Sequence, residues 1–233
     1  EIMPSLVGSE MCIRDSKWTI EYGSLKFYIE PTGFKHTGLF PEQAANWDFI
    51  REKVVAASAR RPVRVLNLFA YSGGATLAAA AGGAEVYHVD ASKGMVAWAK
   101  ENAVASGLAD RPIHWIVDDC GKFIQREIRR GRRYDGIIMD PPSYGRGPSG
   151  EIWKMETSFY PFLQETVKLL SDDPLFVIIN SYTTGLAPSA VAYASDVVFG
   201  AAHGGKTVAG ELGLPVKQSG LVLPCGATGR WTP

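Results

Sequence analysis

Four carboxylates stand where short apolar runs stop: Asp90 in EVYHVD, Asp118 and Asp119 in IHWIVDDCGKF, and Asp140 in IIMDPPSYGRG. A carboxylate accepts hydrogen bonds from hydroxyls and amines and attracts cations. Pro141 keeps Asp140 out of the helical region, and neither Pro141 nor Pro142 can donate a backbone N–H. The carbonyls around Asp140 are therefore left to accept from some other group. A fifth run, VRVLNLFAYSGG, ends in small residues where glycine lets the main chain approach a ligand. It has neither the full GxGxxG spacing nor the Lys-Ser/Thr of a phosphate-cradling loop. Acidic ends without a phosphate lysine suit a ligand rich in hydroxyls, amines or positive charge. Asp90 can take both ribose hydroxyls of a nucleoside, and Asp118 or Asp119 can take an adenine amine while Phe123 helps wall the pocket. Each acid read singly is also a good helix N-cap.

The elements that must position these residues alternate. VRVLNLF, EVYHVD, IHWIVD, YDGIIMD and LFVIINS are short, nearly continuous apolar runs, and amphipathic or small-residue helices separate them. That pattern predicts a mostly parallel sheet covered on both faces. Its ligands then sit at the carboxyl ends of the strands, near the reversal of strand order. KTVAGELGLP and SGLVLPCG read as two strands close together, an antiparallel hairpin at one edge. Upstream, WTIEYGSLKFYIEP alternates around Gly23-Ser24 as a hairpin, and Pro41 opens a helix through EQAANWDFIREKVVAAS.

The 233 residues suit one α/β domain with an appendage. Twenty-four basic and 24 acidic residues leave zero net charge, with no global nucleic-acid footprint. The local cluster KFIQREIRRGRRYD reads either as a solvated helix end or as a phosphate contact. Three cysteines without a CxxC pair predict neither a disulfide framework nor a metal site. No apolar run approaches the roughly 18 residues of a membrane span, and the expected location is the cytoplasm. The start, EIMPSLVGSEMCIRDS, resembles a translated sequencing-adaptor read-through. Residues 1–16, with Cys12, are thus expected to be a non-native tail ahead of a hairpin and helix (17–58) and the main domain (59–233).

Taken together, VRVLNLFAYSGGATLAAA, VDAS, VDDCGKFI and DPPSYGRG resemble motifs I to IV of class I S-adenosylmethionine (SAM)-dependent methyltransferases. The similarity extends to bacterial enzymes that methylate large-subunit (23S) rRNA, and KHTGLFPEQAANWDFI is similar to the segment preceding motif I in that group. The resemblance implies a Rossmann-like fold, with a seven-stranded, mostly parallel sheet and an antiparallel C-terminal edge hairpin. It implies that Asn67, Phe69, Ala70, Tyr71, Ser72 and Gly73 border the methionine and ribose of SAM. Asp90 would take the ribose hydroxyls, with Ala91 and Ser92 nearby. Asp118 and Asp119 would lie at the adenine amine, with Cys120 beside the ring. Phe40 and Gln43 would come from the preceding segment. Asp140 and Pro141, followed by Pro142, would face the transferred methyl and the target atom, and Tyr144 would either stack on a target base or simply pack over the site.

One departure bears on the chemistry. Methylation of cytosine C5 needs a thiol to attack C6, and in such enzymes it follows the prolines or ends the next strand. Ser143 and Ser181 occupy those places here, and Cys225 reads as a buried structural thiol. Methylation at nitrogen needs no such nucleophile. The expectation is thus a cytoplasmic, metal-free enzyme that uses SAM to methylate a nucleobase of RNA, in particular rRNA, at nitrogen rather than C5. Small-molecule or protein methylation, or a catalytically silent SAM-binding domain, are the alternatives. An NAD(P)-dependent reductase would require GxGxxG at the turn after the first strand of the sheet, which NLFAYSGG does not supply.

Overall fold

A computed structural model describes residues 17–31, 37–146, 150 and 152–233. Residues 1–16 with Cys12, residues 32–36 of the segment before the first motif, and Gly147 of DPPSYGRG lie outside the described residues. In chain order the strands are β1 (Trp18–Tyr22), β2 (Leu25–Ile29), β3 (Arg64–Leu68), β4 (Glu85–Asp90), β5 (Ile113–Val117) and β6 (Gly136–Met139). They continue as β7 (Tyr144–Arg146), β8 (Ile152–Lys154), β9 (Phe176–Ser181), β10 (Lys206–Pro215) and β11 (Val222–Thr232). The main helices are α1 (Ala44–Ser58), α2 (Gly74–Ala81), α3 (Lys93–Ala105), α4 (Cys120–Arg129), α5 (Met155–Thr166) and α6 (Pro188–Ser195).

Seven strands form one sheet in the order β10-β11-β9-β6-β3-β4-β5. The five strands β9, β6, β3, β4 and β5 are parallel, and β11 pairs antiparallel with both β9 and β10. Because successive strand side chains point to opposite faces, each buried strand feeds two cores. Leu66, Leu68, Ile137, Met139, Val177 and Ile179 pack with α4, α5 and α6. Val65, Ile138, Phe176 and Ile178 pack with α1, α2 and β2. Small residues in α2 allow close contact with α1: a Cβ on Gly74 would sit 2.7 Å from the Trp47 ring. The chain leaves β3 for β4 on one side and later enters β6 on the other. Strand order therefore reverses between β3 and β6, and a crevice opens beyond their carboxyl ends.

The β1–β2 hairpin turns at Gly23, whose φ is +58°. It lies against α3, whose side chains satisfy the β2 backbone: Tyr28 N donates to Asn102 Oδ1 at 2.8 Å, and Trp98 Nε1 donates to Tyr28 O at 3.0 Å. An edge that would otherwise stay unpaired is thereby covered.

Two features differ from the sequence pattern. The last strand runs to Thr232 rather than ending at Gly226, and it is Ala227–Trp231 that pairs with β9. Gly226 and Gly229 look like turn signals, but each lets β11 pass close to a neighbour. A Cβ on Gly226 would sit 2.7 Å from the Tyr182 ring, and one on Gly229 would sit 3.0 Å from Val191. The run after Asp140 is also more than a loop, because Tyr144–Arg146 pairs antiparallel with Ile152–Lys154.

Candidate active site

The turn after β3 is held in a costly shape. Phe69 and Tyr71 have φ of +56° and +50°, and Gly73 has +90°. Left-handed backbone at a non-glycine residue persists only where surrounding contacts impose it, at roughly 1–3 kcal/mol each. Here Phe69 N donates to Cys120 Sγ (3.3 Å), Tyr71 N to Asp90 Oδ2 (2.9 Å), and Asn102 Nδ2 to Ser72 O (2.9 Å). Ser72 Oγ donates to Gly38 O at 2.5 Å, which brings the segment before α1 over the turn. Beneath it, Asn67 Nδ2 donates to Thr76 Oγ1 at 2.9 Å, and Thr76 Oγ1 meets His88 Nδ1 at 2.9 Å. Burial pushes the His88 pKa down to about 3, so this network is neutral.

Beyond the turn lies a cavity of about 550 Å³, within the roughly 300–1,000 Å³ of small-molecule sites. Phe40, Tyr71 and Tyr182 form an aromatic wall, with the Phe40 ring centroid 5.5 Å from Tyr71 and 5.4 Å from Tyr182. Asp90, Ala91, Ser92, Asp119 and Cys120 line one end, and Asp140, Pro141, Pro142 and Ser143 the other. Gly145, Arg146 and Trp153 of the β7–β8 hairpin close the side. Among the described lining residues Arg146 is the one cation, set against three acids.

Asp90 accepts Tyr71 N through Oδ2 and Ser92 N through Oδ1, at 2.9 and 2.8 Å. A carboxylate has about four acceptor positions, so each oxygen keeps capacity for one more donor. Burial raises the Asp90 pKa, and the two backbone donors offset part of that rise. Asp119 Oδ1 caps α4 by accepting Lys122 N at 2.9 Å, and the residue also lines the cavity, so both sequence readings of it coexist. Asp118 stands outside the lining: it accepts Asp119 N and pairs with Arg126. Phe123 is buried in the core behind.

At the other end, the Asp140 pKa is pushed up to about 7, first by burial and then by the nearby negative charge of Glu42. Pro142 O accepts from Trp153 Nε1 (2.6 Å) and Ser143 O from Met155 N (3.0 Å). The Ser143 hydroxyl meets Thr183 Oγ1 at 2.8 Å. Tyr144 is 52% exposed and off the lining; its hydroxyl accepts from Arg146 Nε at 3.1 Å. Gln43, Asn67, Ala70, Ser72 and Gly73 line a smaller neighbouring pocket instead. Gln43 reaches the site indirectly, donating to the Tyr182 hydroxyl at 2.8 Å. Cys225 is half-buried rather than buried: it lines a separate cleft on β11 with Ser181, Thr183 and Glu211.

Sequence reasoning assigned no role to Tyr182, Trp153, Arg146 or Glu42. Tyr182 carried a signal, since it directly follows a strand that ends at the crevice. Trp153 and Arg146 carried none, because only the β7–β8 pairing brings them over the site. Two cations of the basic cluster are committed internally: Arg126 pairs with Asp118 and Arg130 with Glu127, the latter at 2.9 Å.

A parallel sheet with a crevice at its order reversal, an acid on the second strand and Asp-Pro-Pro on the fourth define a nucleoside-cofactor enzyme of the Rossmann-like class. Comparison with known proteins agrees. Residues 10–194 match the S-adenosylmethionine-dependent methyltransferase family, and the chain belongs to it. A crystal structure of the SAM-dependent methyltransferase from Agrobacterium tumefaciens is 40% identical, with a TM-score of 0.87, over 94% of this chain and 70% of that one. A structure complexed with S-adenosylhomocysteine (SAH) shares the fold at 22% identity and a TM-score of 0.73, over 94% of this chain and 56% of that one. The "Ribosomal RNA large subunit methyltransferase K/L" of Shewanella baltica (strain OS155) is 35% identical over 165 residues, 70% of this chain. The chain spans 22% of that relative's length.

The family's cofactor is SAM, and the residues of this chain fit it. The acidic ends and the absence of a phosphate-cradling lysine suit a cationic, phosphate-free ligand. The spare acceptor positions on the two Asp90 oxygens suit a vicinal diol. Among the described residues no helix is long and apolar enough to cross a membrane, and no cluster of three or more His, Cys, Asp or Glu could hold a metal.

Proposed function

We propose that this methyltransferase modifies a nitrogen of a nucleobase in RNA, and that its substrate class is ribosomal RNA. Phe69 and Tyr71 border the cofactor, Asp90 holds its ribose hydroxyls, and Asp119 takes the adenine amine beside Cys120. SAM supplies an electrophilic methyl group when bound. Asp140 and the Pro141 carbonyl accept hydrogen bonds from the target amine, which localises its lone pair on nitrogen and aims it at the cavity. The new N–C bond forms as the methyl–sulfur bond breaks, its electron pair staying on sulfur as the neutral thioether leaves, and the proton lost from nitrogen passes to the Asp140 carboxylate. Most of the rate enhancement then comes from positioning and water exclusion, which the aromatic wall and the β7–β8 hairpin provide. Tyr144, exposed beside Arg146, is placed to stack on a base, a contact worth about 1–3 kcal/mol.

The observation that carries nitrogen over C5 is the setting of the thiols. Cys120 lines the cofactor end of the cavity, away from Asp140, accepts Phe69 N, and has its pKa raised by burial, so it is a poor nucleophile. Cys225 lines a different cleft. RNA as the acceptor draws on the relatives named for rRNA methylation, since zero net charge supplies no argument of its own. The test is transfer of radiolabelled methyl to deproteinised rRNA, followed by nucleoside analysis. An N-methylated base is expected; 5-methylcytosine, or labelling only of a protein or metabolite, would overturn the reading.

A further inference from the structure

Glu42 is a buried acid, 8% exposed, in the single helical turn Pro41–Gln43 that leads into α1. Its carboxylate accepts the Tyr182 O–H at 3.0 Å, and among the described residues it has no salt-bridge partner. The nearest cation in the hydrogen-bonded chain is Arg230, reached only through neutral links. Arg230 Nε donates to Asn46 Oδ1 (2.7 Å), Asn46 Nδ2 to Gln43 Oε1 (2.9 Å), and Gln43 Nε2 to the Tyr182 hydroxyl (2.8 Å). Tyr182 cannot turn away from this arrangement. Phe40 covers one side of the ring at 5.4 Å, and Gly226 crowds it so closely that a Cβ would sit 2.7 Å from it. The hydroxyl is committed to both Glu42 and Gln43, so the ring offers the cavity a fixed, apolar edge. Behind that edge stands a negative charge, and across the same cavity end stands Asp140.

A buried charge without a counterion is costly and is accounted for if a cation arrives from elsewhere. We propose that Glu42 and Asp140 form an acidic pair that selects the cationic sulfonium cofactor over its neutral thioether product, with Glu42 acting at one remove through the Tyr182 hydroxyl. This rests on the reading that Asp140 faces the transferred methyl. It assigns Glu42 a positioning role that the motif residues do not include. Glu42 also raises the Asp140 pKa, which places the two charges within electrostatic reach of each other. After transfer the sulfonium charge is gone, so the pair ceases to attract the spent cofactor and its release is eased.

The test is calorimetric titration of wild type and Glu42→Gln with SAM and, separately, SAH. Glutamine keeps an oxygen to accept the Tyr182 O–H and removes only the charge. SAM affinity is expected to fall about tenfold, as for one partly screened charge pair, while SAH affinity stays within about twofold. A parallel fall for both ligands indicates a merely structural role and overturns the proposal, as does no change in either. Asp140→Asn serves if Glu42→Gln does not fold: it must lower the SAM/SAH affinity ratio in the same sense, and an unchanged ratio rejects the pair. Asp90→Ala separates the underlying reading, because SAM binding indifferent to that variant means the cofactor lies elsewhere.

Discussion

The Tyr182 hydroxyl donates to Glu42 Oε1 at 3.0 Å, joining residues 140 positions apart and fastening the turn before α1 to the end of β9. Burial raises the Tyr182 pKa, with the charge of Asp140 adding to it, so the phenol stays protonated and keeps donating. Tyr182→Phe leaves Glu42 buried without that donor. A stability loss of about 1–3 kcal/mol is expected, read as a lower urea midpoint with an unchanged slope.

Asp90 should govern cofactor affinity. Asp90→Ala removes both acceptors proposed for the ribose hydroxyls and frees Tyr71 N and Ser92 N, which help impose the strained turn. Hydrogen bonds to charged groups contribute roughly 1.5–3 kcal/mol each, so SAM affinity should drop at least about 100-fold in calorimetry. Retention within a fewfold would remove Asp90 from the site.

Cofactor binding should depend on pH through Asp140. With its pKa near 7 the free cavity holds this group as a mixture of acid and carboxylate at neutrality. A cationic ligand prefers the carboxylate, so SAM affinity rises from pH 6 to 8 and levels off above. SAH lacks the charge and should show a flatter profile. In Asp140→Asn the rise for SAM disappears.

The same shift predicts a trade between stability and function. The folded pKa of Asp140 lies above the unfolded value of about 3.9. Between these two values the native state holds the proton more tightly, so the group's contribution to stability falls as pH rises from about 4 to 7. Asp140→Asn should therefore be more stable than wild type at pH 8, by on the order of 4 kcal/mol, and nearly equal to it below pH 4. Thermal melts at both pH values check this.

Neither described thiol should be required for transfer. Cys225→Ala is expected to keep activity within about twofold. Cys120→Ala loses an anchor for Phe69 N (3.3 Å) and should raise the KM for SAM while turnover persists. Abolished turnover in either variant, with SAM still bound, would restore a covalent C5 mechanism.

How much of this was legible beforehand follows from how local each signal is. Apolar runs punctuated by helices announce a parallel sheet, because burial on both faces leaves no room for alternation. Asp90, Asp119 and Asp140 could be placed at the crevice because a strand's last residue is readable from its own run. Asp118 was a near miss, as adjacent residues at a strand end diverge: Asp119 lines the cavity, whereas Asp118 turns to Arg126. The last strand was read short because Gly226 and Gly229 signal turns locally, and only their neighbours Tyr182 and Val191 require the missing Cβ atoms.

The order of residues by itself determined the sheet, the acids at its ends and the family to which the chain belongs. These depend on periodicity and on short motifs, which are properties of neighbours in the chain. Only the tertiary structure decided that Trp153 and Arg146 close the cavity, that Cys225 lies in another cleft, and that Glu42 stands behind Tyr182. Such relations arise when desolvation and packing bring distant segments together, and no local pattern encodes the charge that a residue meets across the core.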